Sequence, residues 1–354
     1  MQGNNRILLG MSGGLDSTMS ALLLKKQGYQ VIGLTLKTWH LHPEKYEEEL
    51  QKASSLAQKL NIEHSILDIS RSFREEVVDY FCNEYQIGRT PNPCNRCNPI
   101  IKWPWLIQKA EELNCSHVAT GHYVQKVKEN GRWYVKKGAD PSKDQSYFLW
   151  NLSQKILEKA LFPLGNLTKK EVRQMALDHG LKETARKQES MGVCFLGGTN
   201  YREFLAQKQE NNELTIHPGE IVDEEGNKLG THRGLAFFTI GQKKGLALPD
   251  KKFFVKEMEP DTNRIIVSKT ASLSTATLSL QEFNLTPDLQ ENKKYQVNIR
   301  IRGIDKVPSL PGFITLHSNK LKVDFEEEAW GITPGQSIVF YQKDTVIGGG
   351  LVKP

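Results

Sequence analysis

Three of the five cysteines stand where a thiol could do chemistry: Cys94 and Cys97 form a C-x-x-C, and Cys194 lies far downstream in the glycine-flanked Met191-Gly192-Val193-Cys194-Phe195-Leu196-Gly197-Gly198. An odd number of cysteines argues for free or working thiols over a disulfide framework. A C-x-x-C offers a metal half-site or a redox pair. Structural zinc would need two further ligands, and no second C-x-x-C supplies them. Three cysteines could instead hold an iron–sulfur cluster with an open iron, a [4Fe-4S] on Cys94, Cys97 and Cys194. The remaining reading is direct thiol chemistry, in which one cysteine carries sulfur as a persulfide and another resolves the bond by disulfide exchange. It needs two cysteines from separate stretches, and Cys97 and Cys194 are placed for that. Cys82 and Cys115, in helix and strand surroundings, read as small buried hydrophobes.

A second chemical feature is the run Arg6-Ile7-Leu8-Leu9-Gly10-Met11-Ser12-Gly13-Gly14-Leu15-Asp16-Ser17. Four residues rich in apolar side chains lead into a glycine turn, and Asp16-Ser17 opens an amphipathic helix to Gln27. A helix N-terminus leaves backbone N–H groups unpaired and carries partial positive charge, and consecutive glycines admit an anion closely. Ser12 and Ser17 add hydroxyl donors, and Asp16 could hold a magnesium ion. The run lacks the Gly-Lys-Ser/Thr ending of the NTPase P-loop. It resembles the PP-loop of the ATP pyrophosphatases, which implies ATP cleavage to AMP and pyrophosphate with adenylation of a substrate oxygen.

The elements that must position these groups alternate. Gln30–Trp39 and Glu63–Ile69 read as strands, Pro43–Leu60 and Phe73–Tyr85 as helices, and His117–Thr120 as a strand ending in Gly121-His122-Tyr123. That spacing gives an α/β fold with a doubly wound parallel sheet, whose ligands bind at the C-terminal strand edge. Gly88–Pro99, with three prolines and three asparagines, is expected to be an irregular exposed loop. Trp103–Asn114 resumes a helix, Tyr123–Lys137 reads as a hairpin around Asn130-Gly131, and a basic stretch from Arg186 to Ser190 precedes the Cys194 segment. From about Asn211 short strands alternate with Gly, Pro and Asp turns. The expected division is a catalytic domain at 1–208, a small central β-rich domain at 209–275 and a C-terminal β-barrel at 276–354.

Lys and Arg exceed Asp and Glu by 47 to 41, a net charge of +6 that tolerates a polyanionic partner without demanding one. No apolar run approaches a membrane span, and the protein is expected to be cytoplasmic with no membrane partner.

With these pieces in place the chain resembles the tRNA-specific 2-thiouridylases of the MnmA/TrmU family over essentially its whole length. The matching blocks are Gly10–Ser17, Thr90-Pro91-Asn92-Pro93 before Cys97-Asn98, Ala119–Tyr123, Lys143–Leu149, Gly192–Phe195, Thr239–Leu246 and Thr333–Gln336. The resemblance implies ATP-dependent replacement of the 2-oxygen of the wobble uridine by sulfur in tRNAs for lysine, glutamate and glutamine. It implies that Gly10, Met11, Ser12, Gly13, Gly14, Leu15, Asp16 and Ser17 bind ATP with Mg2+, and that Leu36 and Gly121 line the adenosine. Cys194 would carry a persulfide received from a sulfur-relay protein or a cysteine desulfurase, and Cys97 would be nucleophile and disulfide partner. Asn92, Pro93 and Cys94 would surround the flipped base, a step that any enzyme modifying an anticodon base requires. His122, Lys143, Asp144 and Gln145 would touch tRNA, Arg300, Ile301 and Gln336 would add contacts, and the central domain at 209–275 would contact tRNA as well. Cys94 replaces an Asp common in the family, which removes a general base, and Ile301 replaces a common aromatic. Two competing readings are another PP-loop enzyme without paired thiols, such as a tRNA lysidine synthetase, and a non-catalytic RNA-binding or sulfur-carrier scaffold.

Overall fold

A computed structural model of the chain describes residues 5–186, 192–269, 273–280, 282–286, 289–303 and 309–353. Most of the basic stretch before Cys194, Lys187–Met191, lies outside the described residues. The chain separates into two compact units, one made of 1–77, 94–198 and 343–347, the other of 78–93, 199–342 and 348–354.

In the first unit the apolar runs form strands β1 (Arg6–Gly10), β2 (Gln30–Lys37), β3 (Glu63–Asp68) and β4 (His117–Ala119), with helices α1 (Leu15–Lys26) and α2 (Pro43–Lys59) between the first three. With the two-residue strand Ala160–Leu161 they build one sheet in the order β3-β2-β1-β4 and then Ala160–Leu161, every pairing parallel. The order reverses between β1 and β4, so the crevice above their C-terminal ends is the switch point where such sheets take ligands. Ile7, Leu9, Ala21, Leu24, Val31 and Ala119 pack as one core on one face; Leu15, Met19, Tyr123, Leu164, Val172 and Ala176 form another. α1 is buried on both sides by these clusters, and each buried Leu or Ile contributes about 1.5–3 kcal/mol, so the start of the helix is held rigidly.

The 88–99 expectation holds for 88–92, which forms no helix or strand, and is corrected from Pro93 onward. Pro93–Cys97 is α-helical, Asn98–Lys102 is a π turn, and Trp103–Glu112 continues as α-helix. Pro93 opens the helix, a position where its missing N–H is not needed. Pro99 would clash in a regular helix, and the wider π turn accommodates it, with the Trp103 N–H donating to the Asn98 carbonyl. The Asn98 side-chain amide donates to the Cys94 carbonyl at 3.1 Å and to the Phe148 carbonyl at 3.0 Å, fixing the turn against the Lys143–Leu149 block. Val124–Glu129 and Arg132–Lys137 form the hairpin, and its Asn130 and Gly131 both have positive φ, as a primed turn requires.

The second unit holds two β assemblies. The central one orders its strands as Phe254–Glu259, Arg264–Ser268, Gly219–Val222 and Lys228–His232. In the C-terminal one, Ser274–Leu280, Lys320–Trp330, Leu310–His317, Lys294–Arg300 and Ser337–Gln342 follow one another, all antiparallel where paired. No helix among the described residues is long and apolar enough to cross a membrane.

Candidate active site

The cradle closes on itself. The Ser12 N–H donates to the Ser17 hydroxyl at 3.2 Å, that hydroxyl donates to the Gly14 carbonyl at 3.2 Å, and Thr18 Oγ1 donates to the same carbonyl at 2.8 Å. Gly13 has φ +68°, and a Cβ there would stand 2.9 Å from the Ala53 backbone, so only glycine keeps the turn against α2. Gly121, following β4, packs against the other side. A Cβ on it would lie 3.0 Å from the Asp16 carbonyl carbon and 3.1 Å from the Ser17 nitrogen. Of the two residues expected on the adenosine side, Gly121 touches the cradle, while Leu36 stands near the end of β2, where its carbonyl accepts from the Tyr46 hydroxyl at 3.1 Å.

Asp16 corrects an expectation. Its carboxylate receives Lys169 Nζ at 2.7 and 3.0 Å and the Tyr123 hydroxyl at 2.8 Å. Lys169 is itself 8% exposed and opens the Lys169–Asp178 helix, whose Thr168 and Glu171 make a capping box. A carboxylate so engaged is a strut of the cradle, and it does not fit as a magnesium ligand. Sequence reasoning missed Lys169 and Tyr123 because nothing local marks a pairing across that length of chain.

Cys94, Cys97 and Cys194 lie within one electrostatic neighbourhood. Burial pushes the Cys94 thiol up to about 12, reinforced by Cys194 and Cys97 and opposed by the Lys102 ammonium. Burial also pushes Cys97 up to about 11, against Lys102 and a hydrogen bond from the Lys102 backbone. The Cys194 thiol is raised by burial and pulled back by Lys102 and by the Phe195 N–H. Cys194 is exposed as a residue, and the upward shift of its thiol has desolvation as its largest cause. The sulfur's own surroundings decide its chemistry. Lys102 is the functional candidate that sequence reasoning passed over: its charge acts on all three thiols and on His122.

The Cys194 turn, Cys194–Leu196, is strapped to the residues after β2. The Leu41 N–H donates to the Phe195 carbonyl at 2.9 Å, and the Phe195 ring meets Trp39 and Phe73 edge-on at 6.2 and 6.0 Å. Cys82 and Cys115 are buried at 5% and 8% exposure, as small hydrophobes should be. Among the described residues no group of three or more His, Cys, Asp or Glu side chains is arranged to hold a metal ion. The alternative reading, a cluster on Cys94, Cys97 and Cys194, thus finds no ready ligand set among the described residues, although the thiols influence one another.

The residues expected to touch tRNA divide. Asp144 accepts the Ser146 hydroxyl at 2.8 Å and the Gly138 N–H at 3.2 Å, and Gln145 accepts the Tyr123 N–H at 3.0 Å, so both side chains brace their own loop. Lys143, between them and Asp140, is half-buried. His122 bonds Thr120 at 2.8 Å between the Trp103 and Phe162 rings, and burial holds its imidazole well below 6.5, hence neutral. Asn92 and Pro93 lead into the cysteine helix. In the second unit Arg300 donates to the Arg302 and Gly303 carbonyls at 3.0 and 3.1 Å. Ile301 is only 5% exposed, so its side chain belongs to the core and offers RNA no surface. Gln336 pairs its backbone carbonyl with the Val352 N–H at 2.9 Å.

A parallel sheet running into a glycine cradle at its switch point defines an adenine-nucleotide-binding domain of the PP-loop class, here followed by two β-rich modules. Three family models match the chain end to end: tRNA methyl transferase HUP domain over 5–198, tRNA methyl transferase PRC-barrel domain over 203–269, and aminomethyltransferase beta-barrel domain over 275–352. A tRNA-specific 2-thiouridylase MnmA 2 of Phocaeicola vulgatus is 42% identical over 354 residues, covering 99% of each chain. The tRNA-specific 2-thiouridylase MnmA of Amoebophilus asiaticus is 41% identical over 98% of this chain and 95% of its own. The U34-tRNA thiolase NcsA of Methanococcus maripaludis, solved with its [4Fe-4S] cluster, overlaps 60% of this chain and 67% of its own at 19% identity and a TM-score of 0.38, too low to bear on this site. The chain belongs to the MnmA/TrmU family of tRNA-specific 2-thiouridylases, which are sulfurtransferases.

Proposed function

We propose that the protein uses ATP to exchange the 2-oxygen of the wobble uridine, position 34 of tRNAs of the lysine, glutamate and glutamine types, for sulfur. What supports the reading is that Cys97 and Cys194, from separate stretches of chain, share one electrostatic neighbourhood with Lys102 in the unit that also contains the cradle. Phosphates lie on Ser12–Ser17, where backbone N–H groups and the start of α1 stabilise charge that develops as pyrophosphate leaves. The uracil O2 attacks the α-phosphorus, and the resulting AMP ester makes C2 electrophilic. The terminal sulfur of a Cys194 persulfide attacks C2, and AMP departs with the former O2. The Cys97 thiolate then attacks Cys194 Sγ, the S–S bond to the new thiocarbonyl sulfur breaks, and a Cys97–Cys194 disulfide remains. An external thiol reductant returns both cysteines, and a relay protein or cysteine desulfurase reloads Cys194. Cys94, half-buried and held as a neutral thiol, shapes the base pocket with Asn92 and Pro93, while Lys143 meets the backbone of the tRNA. Lys102 lowers the energy of whichever thiolate is forming.

Cys194→Ser separates the steps. Incubated with tRNA, ATP and a persulfide donor, it should release pyrophosphate yet yield no 2-thiouridine by mass spectrometry of the wobble nucleoside. Full thiolation by this variant would remove Cys194 from the reaction. Retained thiolation after replacing both Cys97 and Cys194 would point to a PP-loop enzyme that works without thiols.

A further inference from the structure

Two histidines flank Leu41 in the segment between β2 and α2, and the chemistry above uses neither. Both lie against the short turn that carries Cys194. That turn, Cys194–Leu196, is held weakly by its own main chain: the Leu196 N–H donates to the Val193 carbonyl at 3.2 Å and the Gly197 N–H to the Cys194 carbonyl at 3.4 Å. A helical turn of three residues has too few internal bonds to keep its place alone.

The histidines supply what the turn lacks. A Cβ on Gly197, which closes the turn at φ +57°, would stand 2.8 Å from His40 Cε1 and 2.9 Å from His42 Cδ2, so both rings press where only glycine leaves room. His40 also hydrogen-bonds the Cys194 backbone. The His42 N–H donates to His40 Nδ1 at 3.0 Å, which leaves the proton of the neutral ring on Nε2 and makes the Cys194 carbonyl the acceptor. Burial favours that neutral ring, with the Glu49 carboxylate opposing it. The imidazole is fixed in turn. Its plane lies 7° from that of the Tyr46 ring, with centroids 4.9 Å apart. The Tyr46 hydroxyl accepts the Thr38 N–H at 3.1 Å and donates to the Leu36 carbonyl at 3.1 Å, so the stack is anchored to the end of β2. The Tyr46 N–H donates to the His42 carbonyl at 3.1 Å where α2 begins. Strand end, helix start and imidazole make one continuous support for the main chain of Cys194.

We propose that His40 is a positioning residue for sulfur transfer: its Nε2–H holds the Cys194 carbonyl, and through it the sulfur, where that sulfur serves first the activated uracil C2 and then Cys97. The inference rests on the reading of Cys194 as the sulfur carrier and adds what keeps the carrier in place. His40 touches no reacting atom; it works through the main chain of the turn. A reacting group misplaced by about 1 Å can lose on the order of a hundredfold in rate. Loss of the His40 bond alone leaves the Leu41 N–H bond to the Phe195 carbonyl, at 2.9 Å, so the expected loss is a part of that.

The test compares two variants of the full chain. His40→Phe keeps a flat ring on Tyr46 and loses both hydrogen bonds, whereas His40→Gln carries an amide N–H that reaches about as far as Nε2. With tRNA, ATP and a persulfide donor, His40→Phe should lower kcat for 2-thiouridine about tenfold, while KM for tRNA and single-turnover release of pyrophosphate stay at wild-type values. In the free protein it should let iodoacetamide label Cys194 several-fold faster, with Cys97 unchanged. His40→Gln should recover most of both effects. A wild-type kcat or a wild-type Cys194 labelling rate in His40→Phe would overturn the assignment. So would a Gln variant as impaired as the Phe variant, or an equal loss of pyrophosphate release, which would mark a general disturbance of the fold. If wild type makes no 2-thiouridine, the thiolation reading fails and the labelling decides alone: faster Cys194 labelling in His40→Phe, restored in His40→Gln, upholds the hold on the turn, and equal rates in all three proteins overturn it.

Discussion

Replacing Lys169 by Met tests whether the cradle depends on charge compensation at Asp16. Lys169 Nζ holds both carboxylate oxygens, at 2.7 and 3.0 Å, from a position only 8% exposed. At an effective dielectric near 20 the gross attraction at such a distance is about 6 kcal/mol, most of it offset by the desolvation of both groups. Asp16 is 35% exposed, so water recovers part of the loss, and the variant should be destabilised by about 1–2 kcal/mol. The functional effect is larger in kind. Asp16 stands in the first turn of α1, where the proposed site would place the phosphates, and once uncompensated its charge would oppose them. Even about 1.4 kcal/mol of that repulsion raises the ATP dissociation constant tenfold. Calorimetric ATP titration of Lys169→Met should show at least this weakening, and Asp16→Asn added to it should recover most of the affinity, since the neutral amide no longer repels. Wild-type ATP affinity in Lys169→Met, or a double variant as weak as the single one, would refute charge compensation.

Gly121→Ala drives a methyl against the backbone of Asp16 and Ser17 at 3.0–3.1 Å, neither of which can move without the start of α1. It should weaken ATP binding and lower stability by about 1–3 kcal/mol, and an unaltered ATP titration would show the cradle to be more compliant than drawn. Because the thiolate is the nucleophile and burial holds Cys97 near 11 and Cys194 above its usual value, alkylation of both by iodoacetamide should rise about tenfold per pH unit from pH 7 to 9. A plateau below pH 9 in the free protein would sink that assignment. Lys102→Met should slow the same alkylation while leaving ATP affinity unchanged, because it removes the cation that draws both thiols down.

What the sequence made legible was local. The apolar run into Gly-Met-Ser-Gly-Gly announces strand, turn and helix because each step is set by neighbouring residues, and Asn130-Gly131 announces its own hairpin. What it hid was non-local or compensated. Proline and asparagine between 88 and 99 argue for a loop, yet Pro93 occupies the one helical position that wants proline and a π turn absorbs Pro99, so the cysteines ride a helix. Asp16 reads as a metal ligand until a lysine far along the chain is folded onto it. Asp144 and Gln145 read as RNA-facing polar residues, and nothing in the sequence signals that their oxygens also accept the Gly138 and Tyr123 N–H groups. Lys102 looks like any solvated lysine, since charge acting on a thiol leaves no trace in spacing.

The two Thr-Pro blocks show why motifs so distant in the chain can serve one purpose. The Thr90 N–H donates to the Pro334 carbonyl at 2.8 Å, and the Gly335 N–H donates to the Val352 carbonyl at 2.8 Å, both within the second unit. Gly335 has φ +91°, and a Cβ there would stand 3.1 Å from the Thr90 backbone, so the close approach itself excludes a larger residue. Thr333–Gln336 is therefore a clasp on Thr90, and residues that bear no reactive group hold that segment against the C-terminal strands of the same unit.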